Sequence, residues 1–120
     1  MTRINIGIGP KLIKTKHLLA EHREIKRIPN TVRSGKAIIK DIPQEFCLGK
    51  GQVKFFYNKL GYLLNRYKQI YNECLYRKCN VTDYSGAWKD ISPELMSDYT
   101  PTVEDIEIIS KRLKDKSAFI

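Results

Sequence analysis

The strongest constraint on the fold lies between residues 52 and 78, where apolar side chains return every three or four positions. Val53, Phe56, Leu60, Leu63, Leu64, Tyr67, Ile70, Tyr71, Cys74 and Leu75 share one stripe at i, i+3, i+4, i+7 spacing. A segment of that length and period is expected to be a helix with one buried face. Lys54, Lys59, Arg66, Lys68 and Arg77 lie off the stripe, free to face water or an anion, and Asn80 is a candidate stop.

Two more helices are expected around it. Leu12, Leu18, Leu19 and Ile25 recur at roughly helical spacing over about 11–27, with Pro10 suited to a first turn and Pro29 to an end. The third runs over about 101–115. Thr100 caps it, Pro101 opens it, Glu104 and Asp105 suit its positive start, and Lys111, Arg112 and Lys114 suit its end. Val103, Ile106, Ile109 and Leu113 form its buried stripe. Residues 30–50 keep no period, a loop is expected over "TDYSGAW" and a short turn at "SPELM"; "INIGIG" is the one weak strand candidate. The expectation is an all-α fold, a single compact domain over 1–120 of three main helices (about 11–27, 52–78 and 101–115) with long connecting loops. Such loops are often functional.

Charge points to the partner. The chain carries a formal +9, and ten Lys and Arg against only Glu21 and Glu24 put +8 of it in residues 1–40. That concentration suits a face for a polyanion, nucleic acid before anionic membrane, although a solvated basic surface has the same composition. No apolar run is long enough for a transmembrane helix, and no hydrophobic signal core opens the chain. The expected location is therefore cytoplasmic, nucleoid-associated or within a phage- or virus-infected host cell. Cys47, Cys74 and Cys79 are odd in number and not closely paired, which argues against disulfides and zinc. Cys74 belongs to the apolar stripe and is expected in the core.

No P-loop, HExxH or serine-nucleophile pattern is present. "LGKGQ" at 48–52 offers backbone amides to a phosphate, but a plain turn has the same letters. Two other stretches carry more. A threonine at position 2 is small enough for the initiator methionine to be removed, exposing an α-amine with a pKa near 7.7–8.0. Roughly a tenth of that amine is unprotonated at pH 7, against about four in ten thousand for an exposed lysine, which makes it a ready nucleophile toward an aldehyde or a sugar C1′. In "HLLAEHREIKR" (17–27), Arg23 and Arg27 are one turn apart and form a candidate phosphate clamp. Glu24 beside them is expected to stay ionised for proton abstraction or for stabilising a cationic sugar. The same stretch also fits a surface helix laced with ion pairs, and Glu21 is expected to be of that kind.

"MTRIN", "HLLAEHREIKR" and "LGKGQVKFFYNKL" resemble the phage-type pyrimidine-dimer DNA glycosylases, also called the phage endonuclease V family. The likeness is carried by Thr2, Arg3, Ile4 and Asn5, by His17, Leu18, Ala20, Glu21, Arg23, Glu24 and Arg27, and by Leu48, Gly49, Gly51, Val53, Phe55, Phe56, Tyr57, Lys59 and Leu60. It continues more weakly through Glu73, Cys74 and Leu75, Asp98 and Tyr99, and Arg112 and Leu113.

The resemblance implies a bifunctional DNA glycosylase and abasic-site lyase on cyclobutane pyrimidine dimers. In it the Thr2 amine attacks C1′ and forms an imine, and Glu24 stabilises the cationic sugar and assists β-elimination. Arg3, Arg23 and Arg27, with His17 nearby, hold phosphates of a kinked, partly flipped duplex, and Arg112 and Lys116 add backbone contacts. The implied enzyme is a monomer on double-stranded DNA bearing dimers or abasic sites, with no metal, cofactor or membrane. The sequence departs from the family pattern in two places. "SGKAIIKD" replaces a longer basic loop after Arg33, and the sequence ends "KDKSAFI" where the family has an aromatic-basic tail. Phe119, Trp88 and Tyr99 are the rings left to stack on a lesion, so dimer preference is expected to be weaker. An abasic-site lyase without dimer specificity and a non-catalytic basic DNA-binding protein are the alternatives.

Overall fold

The computed structural model describes residues 2–48 and 51–120, and among these it is helical, with no strand. Helix α1 spans Thr15–Ile25, α2 Arg27–Arg33, α3 Gln52–Phe55, α4 Leu60–Tyr76 and α5 Val103–Asp115. Single 3₁₀ turns occupy Pro10–Leu12, Ser85–Trp88 and Pro93–Leu95. The last falls at "SPELM", where a short turn was expected, and Ser85–Trp88 forms within the stretch expected to be a loop.

Helix α4 is the central element because its stripe is continuous. Leu60, Leu63, Tyr67, Ile70 and Cys74 are buried along it, and α1 packs closely across it through Leu18 and Ile25. Each fully buried Leu or Ile contributes roughly 1.5–3 kcal/mol. Burial pushes the Cys74 thiol up to about 11, so it packs as a small apolar group. The long loops are anchored by rings. Phe46 meets Phe55 at 5.7 Å, Phe55 meets Phe56 edge-on at 5.2 Å, and Trp88 lies 5.1 Å from Tyr67. The Tyr84 N–H donates to the Tyr67 hydroxyl at 2.6 Å, closing the loop after α4. The chain end returns to the start of the fold, with the Lys14 N–H donating to Ala118 O at 2.8 Å and the Ile120 N–H to Leu12 O at 2.9 Å.

Several expected boundaries move, each for a local reason. The helix expected over 11–27 becomes a 3₁₀ turn, then α1, and Pro29 lies inside α2 instead of ending the run. Pro29 has no N–H for Ile25 O, so the α1 ladder closes there, and the chain restarts with the proline in the first turn of α2, where no donor is required. The helix expected over 52–78 breaks at residues 56–59 into α3 and α4. There the first turn of α4 abuts residues 96–97: a Cβ on Gly61 would lie 2.3 Å from Met96 O, and the Tyr62 N–H donates to Ser97 O at 3.2 Å. The stop of α4 is Lys78, left-handed at φ 61°, rather than Asn80. Helix α5 starts two residues late, because Thr102 and Asp105 form the capping box, not Thr100.

Three stripe positions are exposed: Leu12 at 57%, Leu75 at 49% and Val103 at 68%. Arg66, expected at the surface, is only 4% exposed, and Glu21 is buried with it. "INIGIG" buries Ile4, Ile6 and Ile8 but is not a strand: the Ile8 N–H donates to Asn5 O at 3.3 Å in a turn, and other main-chain groups of the run bind side chains. Gly7 turns it at φ 76°, under Ile106, whose Cγ1 lies 2.5 Å from where a Cβ would sit.

Candidate active site

Helix α1 sends different faces to different neighbours. Leu18 and Ile25 enter the core, and His22 is buried among Tyr67, Tyr71 and Tyr84 at ring distances of 5.1–6.1 Å. His22 is thus a packed histidine of the core. A third face, His17, Ala20, Glu21 and Glu24, follows i, i+3, i+4, i+7 spacing and carries the polar groups.

The extended N-terminal segment lies along this third face, antiparallel to α1. The Arg3 main-chain N–H donates to Glu24 Oε1 at 3.0 Å, and the Asn5 main-chain N–H donates to Glu21 Oε2 at 3.2 Å. Successive same-side amides of the segment thus meet carboxylates one helical turn apart. The Arg3 guanidinium closes on Glu24 Oε2 at 3.2 Å. Thr2 N is three bonds from Arg3 N, so it lies within about 7 Å of the Glu24 carboxylate.

Arg3, Asn5, His17, Ala20, Glu21, Glu24, Arg112, Leu113 and Lys116 line a notch of about 20 Å³. That is room for about one water, so a larger substrate must sit over it. Burial pulls the Glu24 pKa upward, but hydrogen bonds from the Arg3 side chain and main chain, and the charges of Arg3 and Arg27, outweigh it and hold the carboxyl below its usual value. Glu24 is therefore ionised at neutral pH although only 4% exposed. Desolvation first, then Lys16, Arg3, Lys116 and Lys14, lower the His17 pKa, so its imidazole is neutral at pH 7.

Of the residues singled out from the sequence, Thr2, Arg3, His17, Glu24, Arg112 and Lys116 thus gather at or beside one notch. Lys116 arrives from the C-cap of α5. Arg23 and Arg27 are exposed on the outer side of the α1–α2 junction, and the charge of Arg27 reaches Glu24. Arg112 is placed differently from a simple phosphate contact. Its guanidinium donates to Asn5 Oδ1 at 2.8 Å, Ile4 O at 3.2 Å and Gln52 Oε1 at 3.2 Å, so it clamps the N-terminal segment and α3. Gly49 and Lys50 of "LGKGQ" lie outside the described residues. The rings considered for stacking are engaged in the fold. Trp88 is buried, the Tyr99 hydroxyl donates to Asp105, and Phe119 packs half-buried beside Ile13.

Sequence reasoning missed the layer behind the notch. Arg66 Nε and Nη2 donate to Glu21 Oε2 and Oε1 at 2.8 and 3.0 Å, and Asn5 Nδ2 donates to Glu21 Oε1 at 2.8 Å. The available signals were a lone amide inside the apolar run "INIGIG" and a glutamate one turn before Glu24. Among the described residues, no three His, Cys, Asp or Glu side chains converge to hold a metal, and no helix is long and apolar enough to cross a membrane. A family model described as pyrimidine dimer DNA glycosylase matches residues 1–84. The match covers the Thr2–Asn5 segment, α1 and α4, while Arg112 and Lys116 come from outside it.

Proposed function

The chain belongs to the pyrimidine dimer DNA glycosylase family, and from that premise and the notch we propose a bifunctional enzyme: a DNA glycosylase on cyclobutane pyrimidine dimers that is also an abasic-site lyase. After loss of Met1, the Thr2 amine uses its lone pair to attack C1′ of the damaged nucleotide. The N-glycosidic bond breaks, and the base leaves with the bonding electrons and gains a proton. Loss of a proton from nitrogen and opening of the sugar ring give a C1′=N imine, with O4′ protonated. Removal of a C2′ proton then expels the 3′ phosphate, which takes the C3′–O electrons, and the strand is nicked.

Glu24 is given the electrostatic part. Its carboxylate faces the positive sugar and takes up or relays the C2′ proton. Arg3, Arg23, Arg27 and Lys116, with neutral His17 as a hydrogen-bonding neighbour, hold phosphates around the notch. Arg112 serves the site chiefly by clamping the segment that bears Thr2. The proposed enzyme acts as a monomer on double-stranded DNA, without metal or cofactor.

The observation that carries this proposal is the 3.0 Å hydrogen bond from the Arg3 N–H to Glu24, because it sets the residue bearing the amine beside an ionised acid. Phosphate binding alone requires neither. Borohydride trapping on a duplex with a single abasic site, followed by peptide mapping, tests it. A DNA adduct on the Thr2 α-nitrogen is expected. Binding with strong salt dependence but no adduct would instead identify a non-catalytic DNA-binding protein.

A further inference from the structure

We propose that Asn5 is a positioning residue for the chemistry at Thr2, the pin that fixes how far the N-terminal segment reaches along α1. The inference rests on the function proposed above. Residues from two helices bond this amide, and a third helix backs one of them. Asn5 Nδ2 donates to Glu21 Oε1 of α1 at 2.8 Å, and its Oδ1 accepts from Arg112 Nη2 of α5 at 2.8 Å. Helix α4 enters through Arg66, which grips the same Glu21 carboxylate at 2.8 and 3.0 Å and donates to the carbonyl of Ile8 at the far end of the segment.

Ile4, Ile6 and Ile8 bury the segment, and the chain turns between them, with the Ile8 N–H donating to Asn5 O at 3.3 Å and Gly7 at φ 76°. Asn5 opens that turn and stands where the straight run carrying Thr2 begins. A slip of that run by one residue moves it about 3.3 Å and would carry Thr2 away from Glu24. Asn5 opposes the slip, because a one-residue shift would put Ile4 or Ile6 at its place, and neither can donate to Glu21 or accept from Arg112 through its side chain. A buried polar side chain that has partners in only one register is a known way of selecting that register. Asn5 touches no reacting atom, so its influence runs through the position of the main chain.

Asn5→Ala and Asn5→Asp test the proposal in the full chain after Met1 removal. The readouts are single-turnover cleavage of abasic duplex at saturating protein, DNA affinity against salt, and hydrogen exchange of the Arg3 amide. Asn5→Ala is expected to keep its DNA affinity and salt slope, to cleave about 10²-fold more slowly, and to exchange its Arg3 amide faster. Asn5→Asp keeps the acceptor for Arg112 but faces Glu21 with a second carboxylate. Its cleavage relative to wild type is expected to recover as pH falls from 7 toward 5 and a shared proton restores the donor, a pH signature that plain loss of stability lacks. Wild-type rate and wild-type Arg3 exchange in Asn5→Ala would overturn the proposal, as would a rate loss accounted for by lost DNA affinity. Should wild type form no adduct at Thr2, the proposed chemistry fails, and Arg3 exchange still decides whether Asn5 sets the register.

Discussion

Arg3 grips both oxygens of Glu24, with its main-chain N–H 3.0 Å from Oε1 and its guanidinium 3.2 Å from Oε2. The carboxylate is thereby fixed by the residue that follows the proposed nucleophile. Any movement of the chain start relative to α1 changes both the acid and the amine, so the two work as one unit.

If the amine is the nucleophile, blocking it should abolish the lyase without weakening DNA binding. Protein retaining Met1, or acetylated at Thr2, is expected to bind abasic duplex normally and to give no borohydride adduct. In the unblocked protein the modified peptide should begin at Thr2. An adduct on Lys11 or another lysine would assign the chemistry elsewhere.

Glu24→Gln removes the charge and keeps the shape. DNA affinity should hold or rise slightly, because an anion near phosphate is lost. Cleavage should fall by the ~10²–10⁴ typical of a lost acid-base group. Near-normal cleavage would reduce Glu24 to an ion-pair partner of Arg3. The depressed pKa carries a second expectation. A carboxyl whose folded pKa lies below its unfolded value of about 4.3 stabilises the fold above that value, and the contribution fades as pH falls through the folded pKa. Acid unfolding should therefore be less steep in Glu24→Gln than in wild type below about pH 4.3.

Glu21→Gln has a different expected outcome from the surface pair suggested by the helix pattern. Glu21 and Arg66 have side-chain exposures of 1% and 4%. Removing one partner of such a pair leaves a buried charge and costs roughly 3–5 kcal/mol. Chemical denaturation should show that loss, and Glu21→Gln combined with Arg66→Met should recover a good part of it. A loss under about 1 kcal/mol in the single variant would mean that water or a shift of Arg66 compensates.

Arg23→Gln and Arg27→Gln should each weaken DNA binding at any sequence and lower the slope of log affinity against log salt by about one unit. Arg112→Gln should differ, because its guanidinium is spent on Ile4, Asn5 and Gln52. Its main effects are expected in stability and cleavage rate, with little change in slope. Equal slopes for all three variants would place Arg112 on the phosphates as well.

The parts of this fold legible in the sequence were those with a local cause. The stripe from Leu60 to Cys74 is a periodicity, and α4 follows from it. Motif resemblance singled out Thr2 and Glu24, and the Arg3 N–H, 3.0 Å from Glu24 Oε1, holds the residue next to Thr2 against that carboxylate. What was not legible depended on distant partners. The break between α3 and α4 lies where Lys59 bridges to Met96 and the Tyr62 N–H reaches Ser97 O, partners more than thirty residues away. Arg66 looks like any off-stripe cation until Glu21 and Ile8 are folded against it. Val103 fits its stripe by spacing and is exposed because α5 begins there, before the helix meets the core.

Lesion discrimination gives the last prediction. Stacking on a displaced base is worth ~1–3 kcal/mol per ring, or roughly 5- to 150-fold in preference. Trp88, Tyr99 and Phe119 are the rings whose sequence positions suggested that role, but each is committed to packing or to a hydrogen bond within the fold. Pulling one out onto DNA would forfeit those contacts, so the net gain from stacking would be small. Phe119→Leu fills most of the same space without the ring and is the cleanest probe. Wild type and Phe119→Leu should be compared on three duplexes that are abasic, dimer-containing and intact. The ratios of the three cleavage rates are expected to be unchanged, with any loss appearing equally on all of them as reduced stability. A selective fall of fivefold or more on the dimer duplex would show that Phe119 leaves its site beside Ile13 and reads the lesion. Failure of wild type, with a free Thr2 amine, to cut even the abasic duplex would remove the enzymatic proposal and leave a DNA-binding protein.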